Sequence, residues 1–225
     1  LVFNAWGDRS FDAPYGVWFD GDWDKPRLDD PAIQKGLSDY AGLMQAGPSD
    51  ILSYNWNEAG NAFCNGQAAF FADASLFGPW FETDDCPVSK GNTGYMALPP
   101  QAKGGTSYTA NWQWGIGMGA NAQEKDAGWY FIQYMTNKAS EAVIGTFHGG
   151  AGRLSTWEND SYTSTLNPDY VSATLESMKT VRTSVVPVKD FNKYALEIMD
   201  VILDIHGGAN SADATAKGNA NFKAM

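Results

Sequence analysis

Ile33, Leu37, Tyr40 and Leu43/Met44 recur at the spacing of one helix face. Asp30-Pro31 ahead of them supplies an N-cap and a first-turn proline, and Gly47-Pro48 stops the run. Asn55 to Cys64 reads as a second helix ended by Asn65-Gly66. Ala122–Asn137 reads as a third, with Ala127, Tyr130/Phe131, Tyr134 and Met135 on one face. Asn167-Pro168 opens another through Val171, Leu175 and Met178. Asp190 to His206 carries Tyr194, Ile198, Val201, Ile202 and Ile205 inward before Gly207-Gly208, and Ser211 starts the last helix. Between these lie Gln67–Phe71, Thr93–Leu98 and Trp112–Met118, short runs with strand-like apolar content bounded by Gly or Pro. Alternation of helices and strands predicts α/β layers, with Gln101–Thr109 the loop best suited to pass between two parts of the fold. No internal repeat or low-complexity tract interrupts the pattern.

Charge narrows the partners. The 225 residues carry 15 Lys and Arg against 26 Asp and Glu, a net charge of −11, with no basic cluster. Phosphate backbones and anionic lipid surfaces repel such a chain, so neither nucleic acid nor a membrane surface is expected as a direct partner. No apolar run reaches the ~18 residues of a membrane span. Leu1–Trp6 has neither a basic n-region nor an initiator Met, so no signal peptide is expected here. Aromatic residues make up 14% of the chain, including 9 Trp. That proportion suits either core packing or a surface that stacks on the flat C–H faces of a sugar or polyol. Cys64 and Cys86 read as a disulfide of an oxidising compartment or as two unrelated buried thiols, and the even count in a soluble, acidic chain favours the disulfide.

Candidate catalytic chemistry mostly falls away. Asp20-Gly21-Asp22-Trp23-Asp24 opens like a calcium loop, but Lys25 stands where the turn needs Gly and Pro31 where a bidentate Glu is needed. Gly115-Ile116-Gly117-Met118-Gly119 misplaces the third glycine of a dinucleotide fingerprint. There is no G-x-S-x-G, no P-loop and no H-E-x-x-H, and His148 and His206 have no triad companions nearby in sequence. A glycosidase needs two carboxylates across a cleft, and nothing singles out a pair. Neither a metal nor another cofactor is implied.

One stretch carries a specific resemblance. Phe63-Cys64-Asn65-Gly66-Gln67-Ala68-Ala69-Phe70, with Asp73 and then Gly78-Pro79-Trp80, resembles the F-x-x-G-x-A-A-(M/F) segment of the family 1 extracellular solute-binding proteins of ABC importers. Further elements follow in the family's order. Tyr95-Met96-Ala97-Leu98-Pro99 is similar to its G-x-x-x-L-P strand, and Asn111-Trp112-Gln113-Trp114-Gly115-Ile116 to its return strand. Asp126-Ala127-Gly128-Trp129-Tyr130-Phe131-Ile132 is similar to its A-A-W-x-F-I helix, Arg153-Leu154-Ser155-Thr156-Trp157 to its R-x-S-T-Y element, and Ser211–Ala216 to its terminal helix. Trp18–Trp23, Asn57-Glu58 and the Arg153 element suit the polyol-binding branch, whereas Gly78-Pro79-Trp80 suits the maltose-binding one. Two departures stand out: Gly149 and Gly150 replace prolines, and Asp213-Ala214 replaces Glu-Ala.

The resemblance implies an α/β, periplasmic-binding-protein-like two-lobe fold (type II), only partly covered by this chain, with ligand in the cleft between lobes. It assigns residues 1–109 to the first part of the C-terminal lobe, 110–156 to a crossover segment of the N-terminal lobe, and 157–225 to the return into the C-terminal lobe. The expected function is capture of a sugar or polyol for an ABC import permease, in the periplasm or tethered outside the cell. The expected partners are that solute and the permease subunits. A secreted carbohydrate-active enzyme or carbohydrate-binding module is the competing expectation. Trp80 and Trp112 are expected to stack on the ligand and Asp73 and Arg153 to bond its hydroxyls, with Trp6 behind them. Three of them have a plainer alternative: Asp73 capping a short helix at Ala74–Phe77, Arg153 pairing a surface acid, Trp112 packing in a core. The match is to the C-terminal half of such a protein, so the chain is expected to be a fragment. Tyr130, Phe131 and Tyr134 should then lie exposed, and solute binding by the fragment alone should be weak.

Overall fold

The computed structural model describes residues 1–148 and 150–225, at 147 and 148 for the backbone alone. The chain forms two compact units: residues 1–51, 98–112 and 179–225 make the first, and residues 52–97 and 113–178 the second. The changes of unit at 97/98 and 112/113 bracket the Gln101–Thr109 loop.

The first unit is helical around one core. Helices α1 (Val2–Trp6), α2 (Pro31–Gln45), α10 (Phe191–His206) and α11 (Ser211–Lys223) surround Phe19, Leu28, Ile33, Leu37, Tyr194, Val201 and Phe222, all buried. The Asp30 side chain accepts from Ala32 N–H at the start of α2, and Asn210 caps α11 in the same way. Phe19, Tyr194 and Phe222 meet edge-on and stacked at 4.9–5.8 Å between ring centroids. Two three-residue strands, β1 (Thr109–Asn111) and β2 (Val181–Thr183), pair in parallel with Thr109 opposite Val181.

Asp30 does a second job. Both its oxygens accept from the Arg9 guanidinium, at 2.9 and 2.7 Å. That bidentate bond holds the Asp30 carboxyl below the usual carboxylate range. A depressed folded-state pKa contributes stability above the unfolded value near ~3.9, and the contribution is lost as pH falls through the folded value. Asp30→Asn keeps a capping oxygen but loses the charge. It should cost up to about 1 kcal/mol at pH 7, since Arg9 is half exposed, and almost nothing at pH 2. Urea titrations of both forms at the two pH values measure this; an equal cost at both would remove the ion pair from the account.

The second unit holds α3 (Trp56–Cys64), α4 (Phe77–Phe81), α5 (Lys125–Thr136), α6 (Lys138–His148), α7 (Leu154–Trp157), α8 (Asp160–Thr163) and α9 (Pro168–Met178). One cluster packs Cys64, Phe77, Phe81 and Cys86 under Phe63, Phe71 and Trp80. Another packs Ala151, Trp157, Tyr162 and Tyr170. None of Gln67–Phe71, Thr93–Leu98 and Trp112–Met118 is a strand, which corrects the expectation. A strand exists only through a ladder, and among the described residues these segments have no pairing partner. Phe70 and Trp114 are consequently 91% and 81% exposed. No α5 residue is buried, and its Trp129, Tyr130, Phe131 and Tyr134 are all exposed.

Candidate functional site

The start of α3 is built by its cap. The Asn55 side chain accepts from the first-turn backbone while Glu58 Oε2 accepts from Asn55 N–H at 3.0 Å. This reciprocal pair fixes Trp56 as the first helical residue, with its indole projecting from the helix end. The indole N–H donates to Asp73 Oδ1 at 2.9 Å, and Ala74 N–H donates to the same oxygen at 2.6 Å. Asp73 therefore binds the amide of its neighbour Ala74 and does not cap α4, whose N-cap position is Leu76.

Aromatic rings continue the surface from Asp73. Phe77 meets Trp56 edge-on at 5.1 Å and Trp80 at 5.8 Å. Gly60 makes this possible, because a Cβ there would lie 2.7 Å from the Trp80 ring and 2.8 Å from Phe77. The Cys64–Cys86 disulfide closes the segment on which Asp73 and Trp80 sit, with Cα atoms 4.8 Å apart. Trp56, Asp73 and Trp80 thus form one patch: an exposed carboxylate beside two partly exposed indoles on a pinned aromatic floor. Such a patch offers flat apolar faces next to a charged hydrogen-bond acceptor, the two things a polyhydroxylated ligand needs.

Arg153 belongs to the same unit but to other elements. Its Nε and Nη2 donate to Thr136 O at 3.0 and 2.7 Å, closing the C-terminal end of α5, where a cation suits the free carbonyls. Its Nε also lies 3.7 Å from Glu141 Oε2. Arg153 is about half exposed, and its guanidinium bonds run to Thr136 and Glu141 rather than to the Asp73 patch. Of the two glycines that replace prolines ahead of it, Gly149 lies outside the described residues. Gly150 has φ 67°, a value closed to proline, so the departure matches the backbone.

The remaining two candidates lie in the first unit. Trp112 follows β1 with 68% of its surface exposed, so it is not core. Trp6 is 2% exposed, with its indole N–H bonded to Arg9 O and the Arg9 guanidinium 3.7 Å from its ring centre. Arg27 adds a second cation at 4.7 Å. Trp6 is therefore a core residue with no face free to stack. A cavity of about 500 Å³ nearby is lined by Arg9, Asp20, Asp24, Arg27 and other charged groups and includes none of the five candidates. Trp56 carries no motif of its own in the sequence. Its one visible sign was the cap Asn55-x-x-Glu58, while the partner Asp73 lies 17 positions away.

Residues 2–142 match the family model for bacterial extracellular solute-binding proteins. The mannitol-binding protein of Pseudomonas aeruginosa is 29% identical over 187 residues, 79% of this chain and 39% of that protein. An ABC transporter solute-binding protein of Agrobacterium radiobacter K84, in complex with ribitol, superposes with a TM-score of 0.77 at 20% identity, covering 93% of this chain and 53% of that one. Maltose-bound T. maritima MalE3 gives 0.71 at 19% identity, covering 98% and 55%. This chain thus spans roughly two fifths to half the length of these proteins. The likeness shows an α/β, periplasmic-binding-protein-like fold of type II, covered in part.

Proposed function

This chain belongs to the bacterial extracellular solute-binding proteins, and from that premise we propose that the protein captures a sugar or polyol and delivers it to an ABC import permease. The Trp56–Asp73–Trp80 patch is the observation that carries the reading. Similar proteins are described as binding mannitol, ribitol and maltose, which agree in pairing C–H faces with a fringe of hydroxyls. Asp73 and Trp80 are the ligand-binding residues this reading rests on, and Trp112 is proposed separately, as an exposed indole of the first unit, to meet the ligand. Arg153, whose guanidinium is engaged with Thr136 O at the end of α5, is proposed to bond ligand hydroxyls with its exposed part. The protein works outside the cytoplasmic membrane, in the periplasm or tethered at the cell surface. Among the described residues no helix is long and apolar enough to cross a membrane.

Isothermal titration of the full-length protein with D-mannitol, ribitol and maltose tests the proposal. Saturable binding without change to the solute is the expected result. Release of a product would favour a carbohydrate-active enzyme instead. Trp112 has its own test. Its exposure predicts that Trp112→Ala leaves the melting temperature nearly unchanged while weakening ligand binding by about 1–2 kcal/mol. Unchanged affinity would show that Trp112 does not touch the ligand.

A further inference from the structure

Both protein donors to Asp73, the Trp56 indole and the Ala74 amide, meet Oδ1. Among the described residues no donor meets Oδ2. An aspartate on an exposed turn would otherwise sample several rotamers, each presenting its oxygens in a different direction. Here the indole selects one. Trp56 is itself held twice, by the Asn55/Glu58 cap at its backbone and by the buried Phe77 ring at 5.1 Å and 89° to its plane. Phe77 in turn packs in the cluster closed by the disulfide. A continuous line of fixed groups therefore runs from the buried sulfurs to one oxygen of an exposed carboxylate.

We infer that Trp56 is a positioning residue of the binding site: its indole N–H holds Asp73 Oδ1 so that Oδ2 is left, already oriented, to accept from a ligand hydroxyl. The inference rests on reading the site as one for sugars or polyols. Orientation set before the ligand arrives removes part of the ordering cost of binding. Trp56 also sets specificity, because a fixed acceptor rewards a hydroxyl at one place and an analogue lacking that hydroxyl leaves Oδ2 unpaired.

Trp56→Phe keeps an aromatic ring against Phe77 and deletes only the donor. In titrations of the full-length protein with whichever of D-mannitol, ribitol and maltose it binds, this variant should bind about tenfold more weakly than the unsubstituted protein. Its melting temperature should stay close to the original. The decisive comparison is made in an Asp73→Ala background, where there is no carboxylate to orient. There Trp56→Phe should change affinity less than twofold, because the two residues act as one unit. Deoxy forms of the bound solute should show the same pattern, with the variant penalised least for the analogue lacking the contacted hydroxyl. Binding by the unsubstituted protein together with undiminished affinity in Trp56→Phe overturns the inference alone. A tenfold loss that persists in the Asp73→Ala background also overturns it, assigning Trp56 to direct stacking. Failure of the unsubstituted protein to bind any of the three solutes overturns the sugar or polyol reading, and the inference with it.

Discussion

Replacing both Cys64 and Cys86 with alanine is expected to lower the unfolding free energy by roughly 3 kcal/mol. That is the chain-entropy value for closing a loop of this length. For a protein of this size it corresponds to a fall in melting temperature of about 6–12 °C. The effect should not stop at stability. Both cysteines are buried under Phe77, Phe81 and Trp80, and the segment they close bears Asp73. Ligand affinity should therefore fall with the bond even at temperatures where the protein stays folded. Calorimetry and titration of the double variant, beside the original protein with and without reductant, measure both effects. A stability loss below about 1 kcal/mol would show that aromatic packing alone holds this segment.

Asp73→Ala should produce the largest change in binding of any single substitution. A hydrogen bond to a charged acceptor contributes about 1.5–3 kcal/mol, so affinity for the bound sugar or polyol should fall between roughly tenfold and a hundredfold. Stability should move by less than about 0.5 kcal/mol, because the carboxylate is exposed and its two protein donors regain water when it is removed. Titration and thermal melting of one preparation separate the two effects. Intact affinity would leave Asp73 with only its bonds from the Trp56 indole and Ala74 N–H.

Several helices were legible from the caps that announce them. Asp30-Pro31, Asn55, Asn167-Pro168 and the Gly207-Gly208 stop each marked an element to within a residue or so, because capping is local chemistry written in adjacent positions. Asn137 shows the limit of that rule. It ended the Ala122–Asn137 helix in the sequence, but the same side chain accepts from Ala139 and Ser140 and so starts α6, which had no clear stripe of its own. Strands failed for the opposite reason: a ladder depends on a partner elsewhere in the chain. Thr109–Asn111 and Val181–Thr183, too short for any periodicity, do find each other, whereas Trp112–Met118 does not. The site divides along the same line. Asp73 and Trp80 share a local motif and sit on one surface. Trp6 matched by residue type alone and proved buried. The Arg153 guanidinium turned to a carbonyl across 17 positions, and the Trp56–Asp73 bond spans an equal gap that no local pattern signals.

The unequal surroundings of the tryptophans give the protein a built-in optical ruler. Trp6 and Trp157, 2% and 3% exposed, should emit as shielded indoles and resist collisional quenching by iodide, with Trp6 further modified by the two guanidinium groups beside its ring. Trp112 and Trp114, 68% and 81% exposed, should emit at the red edge and be quenched readily. Solute binding that covers Trp112 would then shift the quenchable fraction of the emission while the shielded fraction stays constant, so occupancy can be followed without a label and against an internal reference.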